Sequence, residues 1–132
     1  MQEFFGFSWS PDSQNLVFFL GDSDARNLYV IDIRTLVMVQ LTENELNYAP
    51  TWSPTGEFIA YNKVMTGSPK SSLHLIKLDG TCDIEIPNMN DVRSPTLSPD
   101  GKKLAFVALD GVYYLEIDKV FGESGHQSLC DH

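Results

Sequence analysis

One short motif recurs three times along the chain, and its spacing limits the fold more than any other feature. The copies read Phe7-Ser8-Trp9-Ser10-Pro11-Asp12-Ser13, Pro50-Thr51-Trp52-Ser53-Pro54-Thr55-Gly56 and Pro95-Thr96-Leu97-Ser98-Pro99-Asp100-Gly101. Their prolines lie 43 and then 45 residues apart. Periods of this length belong to repeat architectures, in which each unit buries its apolar face against the next. The motif itself encodes a tight turn. Proline presets φ at the first corner, aspartate accepts hydrogen bonds from nearby backbone N–H groups, and glycine takes the left-handed conformation that closes the turn. Trp9, Pro11, Asp12, Trp52, Pro54, Gly56, Pro99, Asp100 and Gly101 are thus the structural residues of the repeat. No copy is perfect: Ser13 replaces glycine, Thr55 replaces aspartate and Leu97 replaces tryptophan.

The segments after each turn repeat as well. Leu16-Val17-Phe18-Phe19, Phe58-Ile59-Ala60-Tyr61 and Leu104-Ala105-Phe106-Val107 are apolar runs of strand length, rich in β-formers. Third strands are expected over Leu28–Asp32, Leu73–Lys77 and Val112–Ile117, and fourth strands over Met38–Leu41 and Asp83–Ile86. No stretch keeps a 3.6-residue apolar period over three turns, which excludes a substantial helix. The expectation is an all-β chain of three four-stranded antiparallel blades, because a propeller blade takes about 40 to 45 residues. The blades fall over about 1–42, 43–87 and 88–122, with a polar tail or short edge strand over 123–132.

Trp-Ser-Pro-Asp before an apolar strand, followed by Leu28-Tyr29-Val30-Ile31-Asp32 and Gln40-Leu41-Thr42, resembles the TolB-like (WD-type) β-propeller repeat. The resemblance covers nearly all of residues 5 to 118. Similar repeats occur in periplasmic TolB, in tricorn-like proteases and ahead of prolyl-oligopeptidase-type hydrolases. The repeat specifies the blade and leaves the job open, since propellers serve as scaffolds, gates and ligand sites. The resemblance implies that innermost strands near Phe5–Ser8, Ala49–Trp52 and Ser94–Leu97 line a channel. It places the binding face on the loops Glu43–Tyr48 and Pro87–Arg93. By position, Asn47, Tyr48, Asp91 and Arg93 are the candidate contacts for a protein or peptide.

Three blades are too few for a ring, since closed propellers have about four to eight. Two apolar blade faces are left to cover, at a cost of several kcal/mol if they stay wet. Two copies related by a twofold axis would close to six blades. The alternative is a fragment whose remaining blades lie elsewhere, such as the propeller that gates substrate access to a hydrolase domain. The initial methionine and polar end favour the homodimer.

Composition narrows the partner. A net charge of −9, from 18 acidic and 9 basic residues, argues against nucleic acid and against anionic membrane surfaces. The longest aliphatic or aromatic run, Leu16–Leu20, is far shorter than the roughly 20 residues a membrane-spanning helix needs. No signal-like segment opens the chain, so the default compartment is the cytoplasm, with the periplasm implied by the resemblance. Cys82 and Cys130 read as incidental thiols rather than a disulfide framework.

The search for chemistry yields a non-catalytic expectation, with no metal and no cofactor. Gly122-Glu123-Ser124-Gly125-His126 narrowly misses the nucleophile-elbow motif, and no strand–turn–helix context would hold Ser124. His126, Cys130, Asp131 and His132 match no standard zinc spacing. The acidic run Asp22–Asn27 lacks the twelfth-position glutamate of a calcium loop, where Ile33 stands, and reads as a hairpin. His74 alternates with Leu73 and Leu75, so it belongs on the opposite face of its strand as a solvated or packed residue.

Overall fold

The computed structural model describes residues 3–22, 24–43, 46–64, 71–78, 83–86, 91–108 and 111–117. Among them are eleven strands. The first blade holds β1 (Glu3–Trp9), β2 (Asn15–Gly21), β3 (Arg26–Asp32) and β4 (Met38–Gln40). The second holds β5 (Leu46–Trp52), β6 (Phe58–Val64), β7 (Ser71–Lys77) and β8 (Asp83–Glu85). The third contributes β9 (Arg93–Leu97), β10 (Lys103–Ala108) and β11 (Gly111–Glu116). Neighbours within a blade pair antiparallel in chain order. A single parallel bridge, Arg26 to Leu46, joins the first two blades.

The three motif copies form the turns between innermost and second strands. In each, the residue after Pro-Asp or Pro-Thr donates its N–H back to the motif serine: Ser13 to Ser10 at 3.0 Å, Gly56 to Ser53 at 2.9 Å and Gly101 to Ser98 at 2.8 Å. All three closing residues have positive φ, at 62°, 80° and 74°. Two glycines take that conformation freely, whereas Ser13 adopts it against the steric preference of an L side chain. The serine hydroxyl then holds the turn from inside. Ser98 Oγ donates to Asp100 Oδ1 (2.6 Å) and accepts from the Lys103 amide (2.9 Å). Ser10 and Asp12 repeat this, at 2.5 Å to the carboxylate and 3.0 Å from the Asn15 amide. These bonds hold the carboxyls of Asp12 and Asp100 below their ordinary value, the serine hydroxyl contributing most and the Gln14 or Lys102 amide next.

Both faces of the second blade are apolar because each is pressed against a neighbour, so simple apolar–polar alternation is lost there. Leu28, Leu41, Val17 and Phe19 of the first blade meet Trp52, Ile59, Tyr61 and Ile76 of the second in one core cluster. Phe58, Ala60, Leu73 and Leu75, on the other face of the second blade, pack with Leu104, Phe106 and Ile117 of the third. Leu73 and Leu75 thus face away from His74.

Several strands begin earlier than the sequence pattern indicates. β3 starts at Arg26 rather than Leu28 and β7 at Ser71 rather than Leu73, because the ladder to the preceding strand continues through polar pairs such as Leu20–Asn27 and Val64–Ser71. The alternatives for 123–132, edge strand or loose tail, lie outside the described residues, as do Cys82, Ser124, His126, Cys130, Asp131 and His132.

Candidate functional site

The innermost strands β5 and β9 and the ends of β6 and β10 converge at one end of the blades. Asp91 and Arg93 stand there together. Arg93 Nη2 donates to Asp91 Oδ1 at 3.4 Å, with the arginine side chain 68% exposed and the aspartate only 15%. The carboxylate is tucked in, so the guanidinium is held out toward solvent. Asp91 and Ser94 both have positive φ, 56° and 54°. Asp91 and Arg93, together with Val107 and Ala108, line a concavity of about 210 Å³.

Asn62 holds this corner in place. Its Nδ2 donates to the Val92 carbonyl at 2.6 Å, and its Oδ1 accepts from the Ser94 amide at 3.0 Å. The Ser71 hydroxyl donates to the same Val92 carbonyl. Buried polar atoms cost free energy unless bonded. Here a buried asparagine of the second blade meets that demand by bonding the backbone on either side of Arg93. Sequence reasoning missed Asn62. The signal was an asparagine directly after the apolar run Phe58–Tyr61 and within the same strand.

Asn47 and Tyr48 do not lie in a loop before the innermost strand. They are within β5, paired with Lys63 and Asn62, because a bulge between Tyr48 and Thr51 lets the strand continue past the irregularity. Arg93 likewise opens β9, opposite Val107. At the level of the backbone Tyr48 opposes Asn62, whose side chain bonds the chain on either side of Arg93.

A second polar assembly lies on the opposite edge of the second blade. Tyr61 Oη donates to Asp83 Oδ2 at 2.6 Å, His74 Nδ1 lies 2.9 Å from Asp83 Oδ1, and His74 Nε2 lies 3.0 Å from Ser72 Oγ. With Nδ1–H donating to the carboxylate, Nε2 is left to accept from the serine hydroxyl. The connectivity is that of a nucleophilic triad, but Ser72 and His74 are both buried and Ser72 Oγ also reaches the Lys63 carbonyl at 3.4 Å. The chain of bonds ties β6, β7 and the short β8 together. Burial pushes the Asp83 carboxyl up, yet the hydrogen bonds from His74 and Tyr61, with the charge of Lys63, outweigh it and hold the group below its ordinary value.

The two end faces are the third feature. Trp9 is 56% exposed, although Trp52 at the same motif position is 6% exposed. Phe7 and Met38 are exposed on the same face of the blade, Met38 at its outer strand, and Phe7, Phe18 and Tyr29 stack in a row at centroid spacings of 5.5 and 6.0 Å. At the other end Val107, Val112 and Tyr114 are exposed. Asp22, in the acidic hairpin, accepts from the amides of Asp24 and Ala25 at 2.8 and 3.2 Å. Its oxygen is thus engaged in closing the turn. Among the described residues no group of three or more metal-ligating side chains converges, and no helix is long and apolar enough to cross a membrane.

No protein-family model and no curated protein matches the chain. Solved structures do. A putative TolB from Agrobacterium tumefaciens superposes with a TM-score of 0.75 at 25% identity, over 88% of this chain. Its fold is that of the TolB-like β-propellers. TolB from Acinetobacter baumannii gives the same TM-score at 21% identity over 87% of the chain. The β-propeller domain of the Trilobed protease from Pyrococcus furiosus gives 0.69 at 15% identity over 89%. The chain spans 46%, 30% and 40% of the lengths of these three structures. A TolB-like chain of this size thus matches less than half of each, and among the described residues both end blades expose large apolar side chains.

Proposed function

We propose that the chain is a propeller scaffold that binds a protein or peptide at its axial end and self-associates to complete the ring. Its blades take about 1–42, 43–87 and 88–122. The observation that carries the proposal is the exposed Trp9, on a blade face that also exposes Phe7 and Met38, at a motif position that is buried at Trp52 and half-buried at Leu97, where a preceding blade is present. A monomeric propeller has no reason to leave such a face wet, because burying it against a neighbour is favourable in proportion to its apolar area. Ligand contact falls to Arg93, projected by Asp91 above the concavity, and to the neighbouring end of β5, where Asn47 and Tyr48 lie. Arginine and tyrosine are suited to this because they combine large contact area with directional hydrogen bonding.

The test has two stages. Light scattering should give a mass near twice the 14.8 kDa of the chain. Peptides selected from a random display library on that assembly should then bind about tenfold more weakly to Arg93→Ala, as expected for one lost charge-assisted contact. A monomer at all accessible concentrations overturns self-association, and peptides indifferent to Arg93→Ala overturn the axial site. A second reading is favoured by the likeness to the protease propeller: the blades form part of a larger propeller that restricts access to a hydrolase. A peptidase domain on the same polypeptide would decide for it.

A further inference from the structure

The junctions inside one copy specify how two copies would meet. We propose that Trp9 of each copy docks on the Val107–Val112–Tyr114 face of the other, and that Thr96 ties the two innermost strands across the seam. This rests on the self-association reading and adds the surfaces, the polarity and the register.

The first support is a hydrogen bond that recurs with the repeat. At the first internal junction the Trp52 amide donates to Ser8 Oγ at 3.2 Å. At the second, Thr51 Oγ1 donates to the Pro95 carbonyl at 2.9 Å. In both, the hydroxyl residue just before the motif tryptophan reaches the innermost strand of the next blade. Thr96 is the third member of that series. It is exposed, and while its backbone pairs with Ala105, its hydroxyl has no hydrogen-bond partner among the described residues. By the same spacing, the groups it would meet are the Trp9 amide and the Phe7 carbonyl of the second copy. They flank Ser8 as the Trp52 amide and the Pro50 carbonyl flank Thr51.

The second support is the register of the apolar face. Trp52 is received by a surface in which Phe19 opposes Leu28 and Val17 opposes Val30. In the third blade Val107 opposes Val112 and Ala105 opposes Tyr114, at the same distances from the motif turn. The receiving surface is therefore present again, in the same order along the strands, with Val112 and Tyr114 exposed where Leu28 is buried and Val30 half-buried. Each copy carries one docking face and one receiving face. A twofold arrangement satisfies both at once, with two identical seams and no open end.

Three variants and a mixture test the seam by light scattering, with circular dichroism confirming that each folds. Trp9→Glu and Tyr114→Glu should each raise the dissociation constant at least about 30-fold, as expected for a central aromatic anchor. Thr96→Val, which keeps the shape and removes the hydroxyl, should raise it about fivefold. Leu36→Asn, on the exposed loop between β3 and β4, should leave the mass unchanged. Mixing Trp9→Glu with Tyr114→Glu should partly restore the dimer, because one of its two seams is then unaltered. A wild-type monomer would sink the seam together with the reading beneath it. A wild-type dimer that resists Tyr114→Glu but not Trp9→Glu would mean front-to-front pairing, and would overturn the seam alone.

Discussion

Trp9 and Trp52 occupy the same place in successive repeats and meet opposite surroundings. Each follows a hydroxyl residue, precedes Ser-Pro and pairs with the second residue of the second strand, Leu16 or Ile59. Trp52 is enclosed by Val17, Phe19 and Leu28 of the blade before it, whereas Trp9 has no blade before it among the described residues. The repeat sets which way the indole points, and the neighbouring blade alone decides whether it is buried. In repeat architectures stability is close to a sum of units and interfaces, so the same residue can be core at one junction and surface at the next.

The largest effect should come from deleting the two rings. Trp52→Ala should cost about 3–5 kcal/mol in urea titrations, the range for removing a buried aromatic side chain. Trp9→Ala should cost under about 1 kcal/mol in a dilute, monomeric sample, because little burial is lost. At concentrations where copies associate, that difference should shrink, since Trp9 then gains a blade to pack against. Equal costs in dilute solution would break the comparison.

A medium effect concerns the polar bonds that back the same junction. Tyr61 belongs to the cluster around Trp52, and its hydroxyl is held by Asp83. Asp83→Ala should cost about 1–3 kcal/mol at neutral pH, by leaving the hydroxyl of Tyr61 and a buried histidine nitrogen without their acceptor. The pH dependence has a definite sign. Because the folded-state value of Asp83 lies below its ordinary 3.8, its contribution is complete above that value and is lost as pH falls through the lower, folded one. Asp83→Asn should therefore flatten part of the acid limb of the stability curve below about pH 4. An unchanged acid limb would remove Asp83 from the junction's support.

Much of the fold is legible in the sequence because the repeat averages over its own noise. Ser13, Thr55 and Leu97 each break the motif in one copy, but the other copies and the strand patterns after them supply the missing information. The blade strands follow from those runs, and the position of His74 opposite Leu73 and Leu75 follows from the pleat. The polar bonds are another matter. Asn62 with Val92 and Ser94, or Tyr61 with Asp83, join residues 22 to 32 apart through strand register. Register depends on bulges such as that between Tyr48 and Thr51, which no short-range pattern marks. The same bulge moved Asn47 and Tyr48 from an expected loop into a strand. The concavity beside Arg93 needed the start of β9 placed against the end of β10 before it existed at all.

The smallest effects sharpen the comparison at the turns, where the three repeats are nearly superimposable and differ in one side chain. Ser13 has the left-handed φ that Gly56 and Gly101 adopt at no steric cost. Ser13→Gly should then stabilise the fold by about 0.5–1 kcal/mol, the relief of strain being partly offset by the greater freedom of glycine in the unfolded chain. The reverse changes should separate the other two turns. A Cβ at Gly56 would meet nothing nearer than Pro11 Cγ at 4.0 Å, but one at Gly101 would press on Thr55 Cγ2 at 3.0 Å. Gly101→Ser should therefore cost more than Gly56→Ser, by up to about 1 kcal/mol of crowding between the turns of adjacent blades. Thr55→Ser in the same chain should remove most of that excess, since it deletes the methyl group in the way. If the two glycine replacements cost the same, each turn answers to its own backbone alone and the blades do not feel one another there.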